Sequence, residues 1–127
     1  MNIALFFITH EGIAKSLISI GEAILQTPRH NLDFIEVPMD ASIIEIMQHS
    51  ERKIAQLDTE DGIIFFTDIF GGTPSNIAQQ LAEKYQTELI SGINLPMLIR
   101  LLSYRESEKS QILLKALDGA HQGIQQT

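Results

Sequence analysis

Short uninterrupted apolar runs alternate along this chain with segments whose apolar residues recur at helical spacing, and this alternation restricts the fold more than any other feature. Ile3–Ile8 is six apolar residues in a row, the pattern of a strand buried on both faces of a parallel sheet. Residues 13, 14, 17, 18, 20, 24 and 25 then follow a helical period, closed by Pro28. A second strand is expected over Leu32–Val37, ended by Pro38, and a helix from the cap Ser42 to about Leu57, with Glu45 at the capping-box position. Ile63–Thr67 is the strongest strand candidate, and a helix beginning at Thr73-Pro74 is expected to run to Tyr85. A short strand at Glu88–Ser91 and helices over Leu95–Tyr104 and Gln111–His121 complete the series. Such alternation with short connections predicts an α/β three-layer sandwich around a mostly parallel, doubly wound sheet of order 2-1-3-4. The tail 123–127 is a candidate for a short antiparallel fifth strand.

Length and charge narrow the function classes. One hundred and twenty-seven residues are expected to form a single domain spanning 1–127. A formal charge of −7 gives no basic footprint for nucleic acid or for an anionic membrane surface. Cysteine is absent, so disulfides, thiol catalysis and Cys-ligated metals are excluded, and neither a metal nor a cofactor is expected. No targeting signal or membrane-length apolar stretch is read, which makes the expected location cytoplasmic.

In a doubly wound sheet, ligands bind beyond the carboxyl ends of the strands, where strand order reverses. The residues there are Thr9-His10-Glu11, Pro38-Met39-Asp40, Asp68–Ser75 and Gly92-Ile93-Asn94. Strands one and three are neighbours at the switch point, so His10 and Asp68 are expected to face each other. A carboxylate that accepts the proton of one imidazole nitrogen fixes the tautomer and frees the other nitrogen as a nucleophile. Taken singly, a histidine is more often structural than chemical, and an aspartate here is as readily a turn former. Gly71-Gly72-Thr73-Pro74 permits a tight turn into a helix, with Thr73 expected as the N-cap and Pro74 in the first turn. The start of that helix favours an anion such as phosphate. An imidazole, an orienting carboxylate and an anion-favouring helix start together suggest phosphoryl transfer onto histidine, with the donor open. The P-loop, dinucleotide and serine-hydrolase signatures are all missing.

Thr9-His10, the run Phe66–Asn76 (FTDIFGGTPSN) and Gly92–Met97 (GINLPM) resemble the mannose-family IIA component of the bacterial sugar phosphotransferase system. The resemblance extends over essentially the whole chain in motif order and spacing. It implies a dimeric α/β phosphotransferase whose His10 takes a phosphoryl group from the carrier HPr and passes it to a histidine of an EIIB component. EIIB in turn serves the membrane components EIIC and EIID. On the same resemblance Asp68 orients His10, while Gly71, Gly72 and Thr73 form the phosphate cradle. Thr9, Glu11 and Asn94 are candidates for tuning the histidine or touching a partner. Glu11 stands where many family members have glycine. Alternatives are a protein phosphorylated purely as a signal, a phosphoryl-donor subunit of a dihydroxyacetone kinase, and a receiver-like module with Asp68 as acceptor. His30 and His49 read as solvated, His121 as a helix-end cation, and Met39, Met47 and Met97 as core or interface filler.

Overall fold

Four phenylalanines, Phe6, Phe7, Phe65 and Phe66, are almost completely buried at the centre of the molecule. They sit on two adjacent parallel strands in register, Phe6 opposite Phe65 and Phe7 opposite Phe66. Because side chains alternate across a strand, each pair faces a different layer. Phe7 and Phe66 stack at 4.7 Å between centroids, and Phe6 meets Phe65 edge-on at 6.1 Å. The unbroken apolar runs are therefore explained by a sheet covered on both sides.

The computed structural model describes residues 1–127. Its elements are β1 (Ala4–His10), α1 (Ala14–Leu25), β2 (Leu32–Val37), α2 (Ile43–Ile54), β3 (Ile63–Thr67), α3 (Thr73–Lys84), β4 (Leu89–Ser91), α4 (Leu95–Ser103) and α5 (Lys109–Gln122). The sheet is four-stranded and all parallel, in the order β2-β1-β3-β4, as the sequence predicts. One core unites α1, α4 and α5 with Leu5, Phe7, Ile64 and Phe66. The other joins α2 and α3 to Phe6, Ile8, Ile63 and Phe65. No helix is long and apolar enough to cross a membrane.

Several boundaries differ from expectation. β1 runs two residues further, because Thr9 and His10 remain in register with Glu36 and Val37, so His10 is the last residue of the strand and not the first beyond it. α2 stops at Ile54, while Ser42 does cap it, its Oγ accepting the N–H of Glu45 at 3.4 Å. The tail forms no fifth strand: residues after Gly123 pair with no strand, and Ile124 is exposed. Met97 lies in the first core and Met47 packs against the second, while Met39 is 93% exposed and belongs to the surface instead of a core.

α4 and α5 approach unusually closely. A Cβ built on Gly119 would lie 2.5 Å from Arg100 Cβ and 3.0 Å from the Pro96 carbonyl oxygen. Gly119→Ala therefore forces the two helices apart. Overpacking of this kind costs about 1–3 kcal/mol, which exceeds the helix-propensity gain of up to ~1 kcal/mol from replacing glycine. Urea melts should show a net loss of about 1–2 kcal/mol, and unchanged stability would mean the interface yields freely.

Candidate active site

Of the residues expected at the strand ends, His10 and Asp68 come together on the two central strands. His10 closes β1, and Asp68 is the first residue past the neighbouring β3. His10 Nδ1 lies 2.8 Å from Asp68 Oδ2, and the His10 backbone N–H donates to the same oxygen at 3.2 Å. The Thr67 hydroxyl donates to the other oxygen, Oδ1, at 3.3 Å. The Asp68 side chain is only 9% exposed, whereas His10 remains 36% exposed.

Burial by itself would raise the Asp68 pKa. Hydrogen bonds from the His10 ring and backbone, with one from the backbone of Asp68 itself and the charge of His10, outweigh that effect and hold the carboxyl below its ordinary value. An ionised carboxylate only accepts, so Nδ1 carries the proton it shares with Asp68. In the neutral ring Nε2 is then the bare nitrogen. Both Asp68 oxygens are engaged, which disfavours this residue as a phosphoryl acceptor.

His10 opens onto a cleft of about 220 Å³ whose walls are Val37, Pro38, Met39, Gly72, Thr73 and Pro74. The far wall is the start of α3. Gly72 is its N-cap, with φ 90° and ψ 175°, and Gly71 before it has φ 94°. Both are in the region that strains any residue with a Cβ, so glycine is required there for the backbone path. Thr73 is consequently the first helical residue and not the N-cap expected from the sequence, and no side chain caps this end. The N–H groups of Thr73 and Ser75 have no partner within the helix, and Pro74 has no N–H to offer. An uncapped helix start with its positive dipole end facing His10 is suited to an anion in transit.

The remaining candidates divide. Thr9 is fully buried; its Oγ1 accepts the Ala14 N–H at 3.1 Å and donates to the His10 carbonyl at 2.8 Å. It joins the end of β1 to the start of α1 and offers a partner no surface. Glu36 Oε2 accepts the Lys15 N–H at 3.0 Å, so α1, which has no side-chain cap of its own at Ile13, is capped from β1 and β2. Glu11 is exposed beside His10. Asn94 is a structural cap: its Oδ1 accepts the Met97 N–H at 2.9 Å and its Nδ2 donates to the Ala120 carbonyl at 3.3 Å, joining α4 to α5. No three His, Asp or Glu side chains converge to hold a metal ion. Sequence reasoning passed over Thr67 as a mere strand end, and nothing local distinguishes it from an ordinary β-branched residue.

Around the mouth, Met39 is 93% exposed, Phe70 77% and Ile69 58%. Three large apolar side chains facing solvent at one end of the sheet mark a surface suited to a protein partner.

The chain is similar to known proteins in sequence and in fold. The chain is 28% identical over 127 residues to the PTS system mannose-specific EIIAB component of Escherichia coli strain K12, matching 98% of this chain and 39% of that protein. It thus spans about two fifths of the length of that relative. The crystal structure of phosphotransferase system component EIIA from Streptococcus agalactiae superposes with a TM-score of 0.81 at 22% identity, covering 98% of this chain and 96% of that one. The mannose/sorbose specific IIA subunit of Enterococcus faecalis does so with a TM-score of 0.82 at 15% identity, covering 100% and 96%. At those identities the likeness shows the fold alone. The family model for the PTS system fructose IIA component, EIIA-man, matches residues 4–117. The chain belongs to the EIIA-man family of phosphotransferase-system IIA components.

Proposed function

We propose that residues 1–127 form a single IIA domain that acts as a phosphoryl relay, His10 taking the group from phospho-HPr and handing it to a histidine of an EIIB component for sugar uptake. The observation that carries this reading is the 2.8 Å contact between His10 Nδ1 and Asp68 Oδ2, in a cleft whose far wall is the uncapped start of α3. The Nε2 lone pair attacks phosphorus, a new N–P bond forms, and the bond from phosphorus to its donor breaks with its electron pair left on the donor. The ring becomes cationic and keeps its proton on Nδ1, facing a carboxylate that offsets the new charge. Thr73 and the backbone at Gly71 and Gly72 line the path of the phosphoryl oxygens.

Met39, Ile69 and Phe70 supply the apolar contact area for HPr and EIIB, and the net charge of −7 favours encounter with a basic carrier. EIIC and EIID lie downstream of EIIB, in the membrane; this domain works in the cytoplasm. Incubation with phosphoenolpyruvate, Enzyme I and HPr, with and without EIIB, tests the reading. One phosphoryl group should load onto the protein and leave when EIIB is added. Failure to load from phospho-HPr defeats the proposal, and loading without onward transfer would make the protein a phosphorylation signal instead. The domain is further proposed to pair with a second copy, so light scattering should give about twice 14.2 kDa. A mass of one chain at micromolar concentration would exclude the dimer.

A further inference from the structure

Thr67 ends β3, its side chain is fully buried, and a buried hydroxyl requires an acceptor. The acceptor it reaches is Asp68 Oδ1, at 3.3 Å. Its backbone is fixed independently, since the Thr67 carbonyl accepts the N–H groups of Gly92 at 3.1 Å and Ile93 at 3.3 Å just beyond β4. The β-branched side chain has few rotamers, so the hydroxyl stays where the strand places it. The Asp68 carboxylate is therefore gripped from two sides. His10 holds Oδ2 through its ring and its backbone N–H, and Thr67 holds Oδ1.

We propose that Thr67 is a positioning residue for the relay, acting through Asp68 to fix the plane of the carboxylate that orients His10. The inference rests on the relay reading given above. Rotation about the last bond of an aspartate side chain is broad and roughly two-fold, so contacts to one oxygen alone leave the carboxylate plane loosely defined. A donor on the second oxygen removes that freedom. With the plane fixed, Oδ2 stays aimed at Nδ1 and at the proton that the ring keeps when phosphorylation makes it cationic. Thr67 itself touches neither the phosphorus nor the attacking nitrogen.

Thr67→Val keeps the shape and removes the hydroxyl, whereas Thr67→Ser keeps the hydroxyl and removes the methyl. Thr67→Val should lower kcat for phosphorylation by phospho-HPr about tenfold, the loss expected for one hydrogen bond to a charged group, with KM unchanged. Thr67→Ser should recover most of the rate. Nitrogen-15 NMR of the neutral His10 ring should show one Nδ1–H tautomer in the wild type and a mixture in Thr67→Val. Wild-type rate and ring spectrum in Thr67→Val would overturn the inference. So would a Thr67→Ser variant as impaired as Thr67→Val, because packing of the methyl would then be the cause. If Thr67→Val does not fold, Thr67→Ala against Thr67→Ser makes the same comparison at smaller volume. A wild-type protein that takes no group from phospho-HPr defeats the relay reading, and the ring spectra alone then decide the role of Thr67.

Discussion

His10→Ala will carry no phosphoryl group after exposure to phosphoenolpyruvate, Enzyme I and HPr, while the wild type gains one in an acid-labile, base-stable linkage. The loss should be complete, because no other histidine shares the setting. His30 precedes β2 at the opposite end of the sheet, with its Nε2 3.1 Å from Asn2 Oδ1. His49 is exposed on α2, and His121 is exposed in the last turn of α5. The fold should survive, since the His10 side chain is more than a third exposed and contributes nothing to either apolar core. Intact-mass measurement before and after acid treatment checks the label, and circular dichroism checks the fold. Full labelling of the variant would show that the phosphoryl group goes elsewhere.

Asp68→Asn is expected to slow phosphorylation by roughly 10²–10⁴, the range associated with loss of an orienting or acid–base partner. The amide keeps the shape of the carboxylate but presents an NH₂ group where Oδ2 now accepts the Nδ1 proton, which favours the wrong tautomer. It also withdraws the negative charge that offsets the phosphorylated ring. Rapid-quench kinetics at unchanged circular dichroism measures the effect, and wild-type rates would make Asp68 a bystander. A stability signature accompanies it. A carboxyl whose pKa is depressed by folding adds stability that is present above its unfolded value, about 3.9, and is lost as pH falls through the lower folded value. The advantage of wild type over Asp68→Asn in denaturant melts should therefore be present at pH 7 and diminish below about pH 4.

The sheet order and the meeting of His10 with Asp68 were both legible in the sequence, because they follow from apolar runs, chain direction and the position of a switch point. Contacts made across the fold were not. Ile13 gives no hint that α1 is capped by Thr9 and Glu36. Thr73 looks like an N-cap on local grounds, yet the turn at Gly71 and Gly72 carries the helix start one residue earlier. Asn94, expected near the chemistry, is occupied in joining α4 to α5. Met39 follows Pro38 after a buried strand and reads equally as core or interface filler; the outward turn of the chain leaves it at the surface. In each case a partner distant in sequence, or the direction of a loop, decided the outcome.

His10 and Asp68 stand on, or one residue beyond, β1 and β3, the innermost strands of the sheet, each flanked by strands on both sides. Amides in such strands exchange with solvent only when nearly the entire domain opens, whereas fraying ends and outer helices open at far smaller free energies. Local fluctuations can therefore come and go in the outer helices and the C-terminal tail without opening the strands that carry the pair. On the relay proposed above, the pair is already in its reactive arrangement before a partner arrives.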